Sequence, residues 1–286
     1  MAQAKRTAQT TQKTTQKTLP RVVLKLGGEL LEQPADVERI ARGIRALASR
    51  AALTVVHGGG REIDAALALA GIPKQQVDGL RVTDAPTLDV VVAVLAGTIN
   101  TRLVAAVRQA GGAPVGLTGA DAGVAVVTRT RPIVSTAGQT VDLGLVGAPA
   151  AGAGPTLLVD LMARGYVPVV ACVGATRKGE LLNVNADTLA SALAARLKAQ
   201  RLVIAGGTPG VLDAEGRTIA RLTARDAARL VKAGTANKGI VAKLQACRDA
   251  LRQGVGDVII ANGRQVRFDT LADSKAMQPD CTQVVR

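Results

Sequence analysis

Val22-Val23-Leu24-Lys25-Leu26-Gly27-Gly28 and Leu53-Thr54-Val55-Val56-His57-Gly58-Gly59-Gly60 each run from a short apolar strand into a glycine turn. Glycine lets the backbone come within hydrogen-bonding reach of phosphate oxygens, a helix that follows offers its N-terminal N–H groups, and Lys25 adds a positive charge. Together the two turns predict a phosphate cradle and point toward phosphoryl transfer. Taken singly, each reads first as a tight strand-to-helix connection. Neither matches GxxxxGK[ST] or GxGxxG, so the pair needs support from the rest of the chain.

Working outward, the pattern from residue 21 alternates strand and helix: strand 21–26, helix 36–50, strand 53–57, helix 60–70. A long helical stretch runs from Asp84 to Ala110, followed by a strand at Ala113–Leu117. Residues 124–147 alternate and carry turn residues, which predicts a hairpin on the sheet's edge; a helix at 155–164 and a strand at Val167–Val173 follow. Beyond Gly179 the reading is helix 186–199, strand 201–205, helices 223–232 and 238–253, and strand 257–261. Such alternation predicts an α/β fold with a mainly parallel sheet, helices on both faces and ligands at the carboxyl ends of the strands. Residues 21–178 and 179–286 are expected to form two lobes on one continuous sheet, with no Pro/Ser linker between them. Residues 1–20 are Thr-, Gln- and Lys-rich without an apolar core segment, so the expectation is a disordered basic tail rather than a secretory signal.

Composition narrows the function classes. The 286 residues are 48 % hydrophobic, yet Tyr166 and Phe268 are the only aromatics, so the core must be built from Ala, Val, Leu and Ile. Aromatic stacking platforms for single-stranded nucleic acid are therefore not expected. The formal net charge of +14 is spread along the chain apart from Lys5, Arg6, Lys13 and Lys17 in the tail. It reads as a general anion-attracting surface, suited to a nucleotide and acidic metabolites, or simply as a solvated Arg-rich face, with no nucleic-acid partner expected. Cys172, Cys247 and Cys281 lack CxxC spacing, so neither a disulfide framework nor a zinc site is indicated, and Cys172 is expected in the core. His57 is the only histidine, which excludes a multi-histidine metal site and suggests a backbone-orienting role over that of a general base. Apolar runs such as Leu88 to Gly97, broken by Asp89, fall short of a membrane span, and a soluble cytoplasmic protein is expected.

Three more segments carry candidate chemistry. Gly79-Leu80-Arg81-Val82-Thr83-Asp84 places a cation before a helix, Leu182-Asn183-Val184-Asn185-Ala186-Asp187 places amides and a carboxylate at a helix start, and Lys243 follows Gly239-Ile240-Val241-Ala242. Each has an ordinary reading as well: a helix cap for Asn185 or Asp187, a surface ion pair for Arg81, a solvated helix residue for Lys243.

KLGG, VVHGGG, DGLRVTD, LAGTIN, GLTGAD, GYVPVV and LNVNADTLASALA, in this order over residues 21–262, resemble the acetylglutamate kinase branch of the amino-acid kinase family. The resemblance implies a three-layer αβα sandwich, with the acyl amino acid held in the N-terminal lobe and the nucleotide in the C-terminal lobe. It implies ATP-dependent phosphorylation, with Mg²⁺, of the side-chain carboxylate of N-acetyl-L-glutamate in arginine synthesis. Lys25 and Lys243 would then flank the transferring phosphoryl, with Asp187 holding both lysines. Gly59, Gly60, Arg81, Asn183 and Asn185 would contact the acyl amino acid and the phosphoryl. Gly27, Gly28, Gly206, Gly207, Leu212, Thr235 and Asn237 would contact the nucleotide, and no side-chain metal site is implied. Because the attacking carboxylate is already charged, positioning and neutralisation replace a general base.

The chain also departs from that pattern. Gly206-Gly207-Thr208-Pro209-Gly210-Val211-Leu212 stands where most members carry Ser/Thr-Asp-Val, so an acidic residue near the nucleotide is missing. Asn237-Lys238-Gly239-Ile240-Val241-Ala242-Lys243 keeps the lysine in an altered loop, Ile259-Ile260-Ala261-Asn262-Gly263-Arg264 replaces the usual His-Ile-(Ile/Leu)-Asp-Gly-Arg, and the C-terminal signature is poorly kept, ending DCTQVVR without the usual Gly-Thr. With so polar a tail, these changes predict an arginine-insensitive homodimer. Two rival readings remain: a kinase for aminoadipate or glutamate linked to an acidic carrier protein, and a catalytically weakened regulatory paralogue.

Overall fold

The computed structural model describes residues 19–152, 155–233, 238–273, 276 and 278–286. Its main sheet is built from β1 (Arg21–Leu26), β2 (Ala52–His57), β3 (Pro114–Thr118), β4 (Val167–Ala171), β5 (Arg201–Gly206), β6 (Arg221–Thr223), β7 (Asp257–Asn262) and β8 (Cys281–Val285). The spatial order is β6-β8-β7-β5-β1-β2-β4-β3. Every neighbouring pair is parallel except β7 with β8. Strands from both halves of the chain thus share one sheet, as the alternation of elements requires.

The helices are α1 (Pro34–Ala48), α2 (Gly60–Leu69), α3 (Ala85–Val92), α4 (Asn100–Gln109), α5 (Thr156–Ala163), α6 (Ala186–Arg196), α7 (Ala224–Ala233) and α8 (Lys238–Arg252). α1 and α4 pack together against the sheet as one layer, while α6 and α8 pack together against it as another. β1 lies at the centre, with Val22 to Leu26 all buried. The core is aliphatic, and its one aromatic, Phe268, lies over Gly43 of α1, where a Cβ would collide with the ring.

Three expectations need correction. Residues 124–147 do not extend the main sheet: Val127–Arg129 joins Val146–Pro149, Leu181–Val184 and Val173–Ala175 in a separate four-stranded sheet, and Ile133–Val134 pairs with Thr140–Val141 in a small hairpin. The strand expected over 167–173 is accordingly divided at Cys172, its last residues serving the second sheet. α6 ends at Arg196 rather than 199 because Lys198 adopts the left-handed conformation, which a right-handed helix cannot pass. The sequence reading also missed β6 and β8, the short edge of the sheet.

The run Ala85–Gln109 is one continuous helix, capped by the Asp84 carboxylate accepting from Thr87 N at 2.9 Å and widened to a π-helix over Ala93–Ile99. By length and composition it passes for a membrane-crossing helix, which the broken apolar run in the sequence had not suggested. Val91, Leu95, Ile99, Leu103 and Val107 bury one face of it in the core.

Candidate active site

β5, β1 and β2 are adjacent and parallel, and Leu26 is in register with both His57 and Ala205. Their carboxyl ends therefore deliver Gly27-Gly28, Gly58-Gly59-Gly60 and Gly206-Gly207 to one place. β2 follows β1 on one side while β5 flanks it on the other, so this place is the crevice that a change of strand succession opens in a parallel sheet.

The two glycine turns touch. A Cβ on Gly28 would lie 2.7 Å from Gly59 Cα and 2.9 Å from Gly59 N, and a Cβ on Gly59 would run into Ile99 and Leu95 of the π-helical segment. Close approach of backbone to backbone, rather than any special dihedral angle, is what demands glycine here. The N–H groups of Gly28, Gly59 and Gly60 find no acceptor among the described residues, the last of them sitting at the start of α2. Three free donors on converging turns make an anion cradle.

A cleft of about 440 Å³ opens above it, lined by Gly28, Glu29, Gly60, Gly207, Lys243 and Arg264 among others. Lys25, 6 % exposed, forms an ion pair of 2.9 Å with the buried Asp187 carboxylate. Burial works against the Lys25 charge, but the Asp187 and Glu29 carboxylates outweigh it and hold the pKa above the usual lysine value. Burial likewise works against ionised Asp187, and the charges of Lys25 and Lys243 outweigh it, keeping the carboxyl below its usual range. Both partners are therefore ionised at neutral pH. Asp187 reaches Lys243 through its field rather than through an ion pair, so only one of the two lysines is held directly. Its position follows from Asn185, which caps α6 by accepting from Asp187 N at 3.0 Å and Thr188 N at 3.1 Å.

A second, smaller cavity of about 180 Å³ adjoins the first at Gly60 and is lined by Gly59, Arg81, Asn183 and Asn185. Arg81 is 8 % exposed; its Nη2 donates to Asp64 and, at 3.2 Å, to Gly60 O. Its Nη1 is buried with no hydrogen-bond partner among the described residues. A buried guanidinium N–H left without an acceptor is costly, and a carboxylate entering the cavity would satisfy it. Asn183 donates to Thr83 Oγ1 at 3.2 Å, which orients its amide along the same wall.

The structure thus brings Lys25, Lys243, Asp187, Gly28, Gly59, Gly60, Gly207, Arg81, Asn183 and Asn185 together. Gly206 ends β5, where a Cβ would stand 3.6 Å from Lys243 Cε. Gly27 N donates to Ala205 O at 2.9 Å and so serves the strand end rather than the cleft. Leu212 is 46 % exposed, bridges to Thr218 and is not among the residues lining the cleft. Thr235 and Asn237 lie outside the described residues. Sequence reasoning missed Glu29, whose Oε1 accepts from Gly207 N at 2.8 Å, and Arg61 on the cleft wall. Their only signal was position: each directly follows a glycine turn.

Residues 20–262 match the model of the amino acid kinase family over most of the chain. The chain belongs to the amino acid kinase family. An acetylglutamate kinase of Bradyrhizobium diazoefficiens is 40 % identical over 248 residues, covering 85 % of this chain and 84 % of that protein. One from Rhodopseudomonas palustris is also 40 % identical over 248 residues, covering 85 % and 83 %. Among solved structures, N-acetylglutamate synthase from Neisseria gonorrhoeae complexed with coenzyme A and N-acetyl-glutamate superposes with a TM-score of 0.78 at 24 % identity, over 93 % of this chain and 59 % of that one. Carbamate kinase from Giardia lamblia bound to AMP-PNP gives 0.66 at 16 % identity, over 94 % and 99 %. At such identities the structural likenesses show the amino-acid kinase fold alone: a three-layer αβα arrangement about a mainly parallel sheet.

Proposed function

We propose that this member of the family transfers the γ-phosphoryl group of ATP to the side-chain carboxylate of N-acetyl-L-glutamate, giving N-acetyl-L-glutamyl 5-phosphate for arginine biosynthesis. The observation that carries this reading is the meeting of two cavities at Gly60, one bordered by the glycine turns and Lys243 and the other lined by Arg81, whose buried Nη1 has no partner among the described residues. An acceptor bearing two carboxylates fits that pair: one end on Arg81 and Asn183, the other presented to the phosphoryl. The naming of the relatives at 40 % identity over 248 residues supports the same substrate.

The chemistry asks little of the protein beyond placement and charge. The acceptor carboxylate attacks as an anion, so no base is needed, and the transferring group carries its charge on oxygens that must be met by donors. Lys25 meets them from β1 and Lys243 from α8, while the free N–H groups of Gly28, Gly59 and Gly60 supply fixed dipoles. Asp187 keeps Lys25 charged and still, so that the lysine need not reorganise as charge develops. Mg²⁺ would enter with the nucleotide, neutralising its phosphate oxygens. Among the described residues no group of three or more His, Cys, Asp or Glu side chains could hold the ion by itself, so in this reading phosphates and waters supply most of its coordination.

Replacing Lys25 or Lys243 by Ala should lower kcat by on the order of 10³-fold, the range reported for a positive group acting on a transferring phosphoryl. Near-normal turnover in either variant would refute the mechanism. We also read the chain as a cytoplasmic homodimer that arginine does not inhibit, on the strength of its altered C-terminal signature. A hexamer by light scattering together with inhibition by micromolar arginine would overturn that.

A further inference from the structure

His57 is the chain's only histidine and is completely buried at the end of β2, directly before the glycine turn. Both ring nitrogens are engaged: Nδ1 lies 3.2 Å from Gly58 O, and Nε2 lies 3.1 Å from Asn100 Nδ2. The same Asn100 Nδ2 donates to Val169 O at 2.9 Å, and a carbonyl can only accept, so this Asn atom is the amide nitrogen. Its other N–H lies nearer Nε2, at 3.1 Å, than the Leu117 carbonyl at 3.5 Å, and Nε2 must then present its lone pair. The proton is left on Nδ1, where it faces a second carbonyl, that of Gly58. Every donor meets an acceptor in only this one tautomer.

The consequence reaches the cleft through a single peptide group. Gly58 C=O and Gly59 N–H belong to one trans peptide plane and point in opposite directions. Holding the carbonyl toward the buried ring turns the Gly59 N–H away from it, out of the core. We propose that His57 is a positioning residue of the phosphoryl-transfer site, aiming the Gly59 N–H by fixing the Gly58 carbonyl, with Asn100 setting its tautomer. The π-helical segment just before Asn100 holds the turn from the other side, with Leu95 and Ile99 against Gly59. Cys172 Sγ donates to His57 O at 3.0 Å and anchors the base of the turn. A turn of three glycines has little rigidity of its own, so this outside bracing supplies the preorganisation that a donor to developing charge requires.

The groups facing the ring are few. Leu26 and Ala171 are its strand neighbours, Asn100 and the charge of Arg102 come from α4, and Cys172 is a thiol that burial pushes up to about 12. Burial and the Arg102 charge hold the imidazole neutral, which agrees with the tautomer drawn from the hydrogen bonds.

The proposal rests on the reading of the cleft as a phosphoryl-transfer site, and two measurements separate the failure of one from the failure of the other. With ¹⁵N-histidine labelling, the wild-type protein yields one imidazole spectrum. It should show a protonated Nδ1 and an unprotonated Nε2, unchanged from about pH 8 to pH 5.5. An Nε2–H tautomer, or titration within that range, would overturn the proposal whatever the enzyme's substrate. Kinetically, His57→Gln removes the donor at the Nδ1 position and should lower kcat about 10-fold or more with little change in the KM for acceptor, whereas His57→Asn, whose amide nitrogen overlays Nδ1, should recover most of it. Equal losses in the two folded variants, an effect on KM alone, or full kcat in His57→Gln would each refute it. A wild-type chain silent with N-acetyl-L-glutamate would instead refute the substrate reading, leaving the spectrum to decide the tautomer.

Discussion

Gly28→Ala is the sharpest test of the idea that the two glycine turns are built against each other. The new Cβ would stand 2.7 Å from Gly59 Cα, about 0.7 Å inside the 3.4 Å at which ordinary contact begins. What it strikes is main chain, which cannot swing aside as a flexible side chain can, and Gly59 is backed by Ile99 and Leu95. One of the turns must therefore shift by most of an ångström. Overpacking of this kind costs on the order of 1–3 kcal/mol of stability. A displacement near 1 Å of catalytic donors costs on the order of 10²-fold in rate. Gly60→Ala is the internal comparison for stability, since a Cβ there meets nothing within 4 Å. The assay is steady-state phosphorylation for both variants alongside thermal unfolding. If Gly28→Ala unfolds at the wild-type temperature and keeps kcat within about threefold, far short of that loss, the turns do not abut as described.

Further outcomes follow from the same geometry. His57 is buried and neutral, with a pKa lowered from 6.5 to about 4; the unfolded chain takes up its proton first, so stability should fall as pH drops from 6.5 toward 4, by roughly 1.4 kcal/mol per pH unit. Denaturant titrations at several pH values should show this slope in the wild type and its loss in His57→Asn. Asp187 works at lower pH: its carboxyl is held below the usual value, so its contribution is complete above the unfolded pKa and is lost as pH falls through the folded one. Asp187→Asn leaves Lys25 buried without its counter-charge and should cost about 3–5 kcal/mol at neutral pH while flattening the acid limb below about pH 4. At the opposite end of the strands, Arg201 holds Asp257 at 2.8 Å and the carbonyls of Leu271 and Asp273 at 2.9 Å. Arg201→Met should cost a similar 3–5 kcal/mol by melting measurements, with kcat of the folded fraction unaltered. Arg81→Ala should raise the KM for acceptor by about 10-fold or more, as the loss of a charged hydrogen bond predicts.

What the sequence made legible was mostly local. The strand-to-glycine stretches ending at Gly28 and Gly60 announce both a parallel sheet and a place for anions, because strand, turn and helix start are contiguous in the chain. The relation of Lys25 to Asp187 is not local, and it was read only through the resemblance carried by KLGG and LNVNAD. Glu29 escaped because its partner, Gly207 N, is 178 residues away and no spacing rule connects them. The bond between His57 and Asn100 escaped for the same reason, although a backbone-orienting role for His57 was the expectation. The hairpin over 124–147 was misplaced because alternation reports that strands exist and not which sheet receives them. Leu212 was carried over from a motif whose preceding residues have changed here to Gly206-Gly207, and its side chain is exposed.

The central claim, that a carboxylate receives the phosphoryl group in the cavity ending on Arg81, is tested most directly by trapping the product. Incubation with N-acetyl-L-glutamate, ATP and Mg²⁺ in the presence of hydroxylamine should yield the acyl hydroxamate, with one ADP formed for each hydroxamate. No hydroxamate from N-acetyl-L-glutamate, while the chain folds and binds ATP, would contradict the account.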